Sequence, residues 1–95
     1  LAKQYKDFFV NRSEMFIDEI QDGNSNFWLN GIVLEDKSSR DNFLNSVNKQ
    51  DVMVRPIWTL INKLSMFKDC QTGALVNSEW LEDRVVNIPS SVRVL

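Results

Sequence analysis

The segment Arg55-Pro56-Ile57-Trp58 holds the residue types best suited to binding chemistry in this chain. An arginine offers a carboxylate or phosphate a planar fork of donors, and a tryptophan supplies an apolar wall or a stacking face. The plainer reading, which spacing alone favours, has Arg55 paired with a surface acid and Trp58 filling the core. Asn30 is a second oddity, an amide inside the uncharged run from Asn26 to Leu34. A buried amide is costly unless it is hydrogen-bonded, so Asn30 either meets a ligand or ties down a loop, and spacing favours the loop. No catalytic set is complete. The acidic neighbours Glu35-Asp36 and Glu82-Asp83 point different ways and read as solvated charges. Cys70 has Lys68 nearby but no base to activate it, which makes it an inert thiol. Gly23, Gly31 and Gly73 stand alone, with no phosphate loop or dinucleotide fingerprint around them.

Composition removes further chemistry. Histidine is absent and cysteine occurs once, so the chain has no imidazole base, no histidine metal ligand, no internal disulfide and no paired redox thiols. A net charge of −2 and a pI near 5.0 give no electrostatic reason to expect nucleic acid. No apolar run approaches the roughly 20 residues that cross a bilayer, and the first residues lack a secretory pattern. No membrane partner and a cytoplasmic location are the expectations. At 95 residues, 43% apolar and 25% charged, the chain suits one modest globular core. It opens at Leu1 inside a helical pattern without a capping residue, which reads as a piece of something longer.

The elements that must carry these residues follow from periodicity. Leu1, Tyr5, Phe8, Phe9 and Arg12 recur at helical spacing, predicting an amphipathic helix to about residue 12. Residues 22–26 form a turn cluster in which Gly23 is free to take a positive φ. Residues 26–34 read as a strand buried on at least one face. Ser38 is placed to cap a helix with Asp41 in its first turn and with Phe43, Leu44 and Val47 as its apolar stripe. Residues 51–55 return to strand character until Pro56, which either ends pairing or lies on an edge. Residues 58–67 lack a clean period and suggest a packed loop or short helix. Asn77 or Ser78 is placed to cap a helix through Arg84, and Val85–Ile88 reads as a short strand. The sum is an α+β layer, with a two- to three-stranded sheet covered by helices on one side.

Four segments in order, Asn26-Phe27-Trp28-Leu29-Asn30, Arg55-Pro56-Ile57-Trp58, Lys63-Leu64-Ser65-Met66-Phe67 and Asn87-Ile88-Pro89-Ser90-Ser91, resemble the C-terminal domain of the DegT/DnrJ/EryC1/StrS aminotransferases. Within that family the likeness is strongest to the branch acting on 4-keto sugar nucleotides on the way to legionaminic acid or bacillosamine. The resemblance implies the small domain of a fold-type I enzyme dependent on pyridoxal phosphate. Such an enzyme moves an amino group, usually from glutamate, to a keto sugar on a nucleotide. It also implies that the cofactor and its Schiff-base lysine belong mainly to an N-terminal large domain, and that the large domain and a second subunit are partners. This chain alone is then expected to hold no cofactor and to be inactive. Carried over by residue, the likeness implies that Arg55, Trp58 and Lys63 lie near the substrate sugar or its diphosphate, with Trp28 and Asn30 behind them. The alternative is a free-standing α+β interaction module, since aromatic residues make up 11% of the chain.

Overall fold

A computed structural model describes residues 1–91. In chain order it contains α1 (Ala2–Phe9), β1 (Met15–Phe16), β2 (Asn30–Val33), α2 (Lys37–Lys49) and β3 (Arg55–Pro56). Two 3-10 turns (Ile61–Lys63 and Ser65–Phe67), α3 (Val76–Glu82) and β4 (Val85–Ile88) follow. The class is α+β, as the periodicity predicts. The sheet has four strands in the order β1-β2-β4-β3, one more than the two or three expected. The additional strand is Met15–Phe16, two residues with no room to show a period of two.

Every neighbouring pair is antiparallel, with Asn30 opposite Ile88, Ile32 opposite Val86 and Arg55 opposite Asn87. Because β2 and β3 both run against β4, they are parallel to each other. The β-α-β unit read from the sequence is therefore present, but β4 is inserted between its two strands. Pro56 lies in β3 on the sheet edge, where a residue without an amide hydrogen is tolerated.

Side chains alternate across a strand, so Asn30 and Ile32 share a face with Val86 and Ile88. On that face Ile32, Leu34, Val54, Val86 and Ile88 form the core. Tyr5 and Phe9 of α1, Phe16 of β1, and Phe43, Leu44 and Val47 of α2 pack against it. The predicted stripe of α2 thus meets the sheet. Ile32 and Val86 are fully buried, and each contributes roughly 1.5–3 kcal/mol of apolar transfer.

Several local expectations are corrected. Helix α1 ends at Phe9 rather than near Arg12, because Asn11, Arg12 and Ser13 form a turn instead of a further helical turn. The left-handed residue of the 22–26 cluster is Asp22, with φ 64°, and not Gly23. Asp36, not Ser38, caps α2, accepting from the Ser39 N–H at 2.7 Å. That bond holds the Asp36 carboxyl below its ordinary pKa. Helix α3 begins at Val76 without a side-chain cap, so Asn77 and Ser78 lie inside it. The predicted strand over 26–34 narrows to Asn30–Val33 because the chain bends at Trp28 and Leu29.

Candidate functional site

Strand β3 owes its position to a side chain far from it in sequence character. At the end of α2, the Asn48 Nδ2 donates to the Leu44 carbonyl at 2.8 Å and the Val54 carbonyl at 3.2 Å, while its Oδ1 accepts from the Val54 N–H at 3.2 Å. The amide thereby pairs with Val54 much as a neighbouring strand would, and Val54 is held in the core directly before Arg55. Beyond Pro56, the Ile57 N–H donates to the Val85 carbonyl at 3.1 Å and carries Trp58 along the same edge.

On the other side, Ser90 governs the exit from β4. Its hydroxyl donates to the Ile88 carbonyl at 2.8 Å and accepts from the Asn30 N–H at 2.8 Å and the Asn30 Nδ2 at 3.3 Å. Asn30 is only 2% exposed, and its Oδ1 has no hydrogen-bond partner among the described residues. The loop-tying reading of Asn30 therefore describes what its amide nitrogens do.

Between these two anchors lies a groove of about 750 Å³, whose lining includes Trp28, Met53, Arg55, Trp58, Asn87 and Ser90. Three of the five residues singled out in the sequence thus come together. The plainer sequence reading fails for Arg55 and Trp58. Trp58 is 66% exposed rather than core, and Trp28 beside the same groove is 73% exposed. Arg55 has no acidic partner among the described residues; its guanidinium donates only to the Val54 carbonyl at 3.2 Å. The other described arginines are engaged. Arg40 pairs with Asp41 and donates to the Glu82 carbonyl, Arg84 stacks over Trp80 at 4.3 Å, and Arg12 lies over Phe8 at 4.1 Å. Among the described residues no Asp or Glu lines the groove, so no described side chain in it neutralises the Arg55 charge. A site with one unopposed guanidinium, two open indoles and several amide and hydroxyl groups suits an anionic ligand with a flat or sugar-like body.

Lys63 and Asn30 are not in the groove lining. Lys63 forms an ion pair with Glu82, whose other oxygen accepts the Leu60 N–H at 2.8 Å. The Lys63 bond, followed by the Leu60 N–H, pulls the Glu82 pKa down, and the Glu82 bond pushes that of Lys63 up. This pair fastens the loop after Trp58 to the end of α3. Residue spacing did not disclose Asn48, Glu82 or Asn87, since amide and carboxylate side chains at these positions also fit an ordinary solvated surface. Ser90 stood in a noticed segment, but its bridging role depends on the pairing of β2 with β4.

A lysine that carries a carbonyl cofactor must lose its proton and be held within a shaped site. Lys6 and Lys63 are held protonated by Asp18 and Glu82. Lys3, Lys37, Lys49 and Lys68 are exposed and line no part of the groove. The described residues therefore do not fit pyridoxal phosphate, since none of their lysines offers the deprotonated, enclosed amine that would carry it. No group of three or more Cys, Asp or Glu placed to hold a metal ion occurs among the described residues. No helix among them is long and apolar enough to cross a membrane.

The DegT/DnrJ/EryC1/StrS aminotransferase family model matches residues 1–94, and the chain belongs to that family. No curated protein and no solved structure gives a significant match.

Proposed function

We propose that this chain is the C-terminal small domain of a pyridoxal-phosphate-dependent aminotransferase acting on a 4-keto sugar nucleotide, of the legionaminic acid or bacillosamine kind. Its groove receives the sugar-diphosphate part of the substrate. The observation that carries this reading is the exposed Arg55 guanidinium, which has no acidic partner among the described residues and lines one groove with Trp28 and Trp58. Family membership supplies the reaction class.

In this reading Arg55 presents two parallel N–H donors to a phosphate, and the indoles flank the sugar or base and exclude water. Asn87 offers hydrogen bonds to sugar hydroxyls, while the Ser90 hydroxyl, fully used by Ile88 and Asn30, shapes the groove wall. Lys63 keeps the loop after Trp58 in place through Glu82, and Asn30 keeps the Ser90 turn in place. The large domain and a second subunit in the cytoplasm hold the cofactor and complete the site, and the chain alone is inactive. The free-standing module has one supporting observation, the exposure of Ile61 and Met66, which a large domain would equally cover.

The test uses steady-state kinetics of the full-length protein. Arg55→Ala raises KM for the keto sugar nucleotide about tenfold or more, as expected for losing a charge-assisted pair, while KM for glutamate stays unchanged. Equal effects on both substrates, or none, would count against the groove as the substrate subsite.

A further inference from the structure

Phe27 has φ 48°, a left-handed backbone conformation that a bulky L-residue adopts only under strain. The other two described non-glycine residues in that region are Asp22 and Asp51, whose short polar side chains tolerate it. Phe27 has no such excuse, and it directly precedes Trp28 at the groove. Strained backbone persists where surrounding contacts over-determine it, and such places cluster at functional sites.

The contacts that hold it are present. The Phe27 ring stacks on Phe16 of β1 with centroids 6.2 Å apart and planes 26° from parallel. Its N–H donates to the Ser25 hydroxyl at 3.0 Å, and the Trp28 N–H donates to the Asn26 Oδ1 at 3.0 Å. The Ser25 N–H is in turn held by the Glu19 carboxylate at 2.8 Å. From Asn30 onward the chain is locked opposite Ile88. Relaxing Phe27 to an ordinary φ means a rotation of roughly 110°. Trp28 and Leu29 would have to absorb that rotation, because β2 cannot.

We propose that Phe27 is a positioning residue for Trp28: its ring, stacked on Phe16, fixes a strained turn that delivers the Trp28 side chain to the groove. This deepens the substrate reading of the groove and rests on it for the ligand, but the order of the turn is measurable without any ligand.

The experiment compares Phe27→Ala, Phe27→Tyr and Phe16→Leu in the full chain by the heteronuclear NOE of the Trp28 backbone amide and by affinity for uridine diphosphate as probe. Phe27→Ala lowers the NOE at Trp28 while amides of α2 and β4 keep theirs, and Phe27→Tyr, which retains the ring, restores it. Phe27→Ala weakens the probe about fivefold, in the range of one lost stacking contact, and causes no further loss when Trp28→Ala is already present. A Trp28 NOE unchanged in Phe27→Ala, or losses that add fully in the double variant, would overturn the proposal. Should Phe27→Ala fail to fold, Phe16→Leu removes the stacking partner with less loss of core volume and is judged by the same NOE. If the wild-type chain does not bind the probe, the substrate reading falls, and the NOE still decides the role of Phe27.

Discussion

Glu82 joins the loop after Trp58 to the end of α3, accepting from the Leu60 N–H through one oxygen and pairing with Lys63 through the other. Its pKa is depressed in the folded chain, chiefly by Lys63, so the stability it gives is present at neutral pH. That stability is lost as pH falls through the lowered folded value. Glu82→Ala is expected to cost about 1–2 kcal/mol at pH 7, mostly the charge-assisted bond to the Leu60 amide. Urea unfolding at neutral and acidic pH checks this, because the gap from wild type should close below the ordinary glutamate range. A gap independent of pH would show that the carboxylate charge is not what fastens the loop. At this scale the sequence identified residue types better than their surroundings. Residue chemistry marks Arg55 and Trp58, and the family likeness adds Trp28, but their exposure depends on what the fold leaves uncovered. Lys63 also comes from that likeness, and only the folded chain shows Glu82, nineteen residues away, as its partner.

The elements owe their placement to side chains that imitate backbone. Asn48 satisfies both the N–H and the carbonyl of Val54, a residue only 2% exposed. Asn48→Ala leaves the buried Val54 N–H unpaired and its carbonyl with only the Arg55 guanidinium, which costs about 1–3 kcal/mol for the group stripped of its partner. Asn48→Asp keeps the acceptor but removes the donor and should fall between wild type and alanine. Thermal unfolding of the three proteins decides the matter, and equal midpoints would mean that water replaces the clamp. Periodicity located α1, α2, α3, β2 and β4 because each has an apolar face or run long enough to register. It could not find β1, which exists through pairing of Met15 with Val33 and Phe16 with Ile32. It also misplaced both caps. Ser38 and Asp36 are each good capping types, and only the φ of −156° at Asp36 puts that residue outside the helix.

The whole molecule exposes more surface than its mass requires. Its accessible area is 7702 Å², against about 5,700 Å² for a compact protein of this size. Trp28, Met53 and Trp58 around the groove contribute, as do Ile61 and Met66 on the loop beyond it. In the proposed enzyme part of this area meets the large domain and part meets substrate. The α+β class was legible at this scale because helix and strand periods alternate along the chain. The insertion of β4 between β2 and β3 was not, since strand order is a property of pairing between distant segments. That insertion places Asn87 opposite Arg55 and brings Ser90 beside Asn30, and so creates the groove. Titration of the chain with uridine diphosphate, followed through the indole N–H signals of its three tryptophans, tests the groove most directly. Saturable shifts at Trp28 and Trp58, no shift at Trp80, and loss of the response in Arg55→Ala are the expected result. Indoles that do not move, or a response that survives Arg55→Ala, would contradict it.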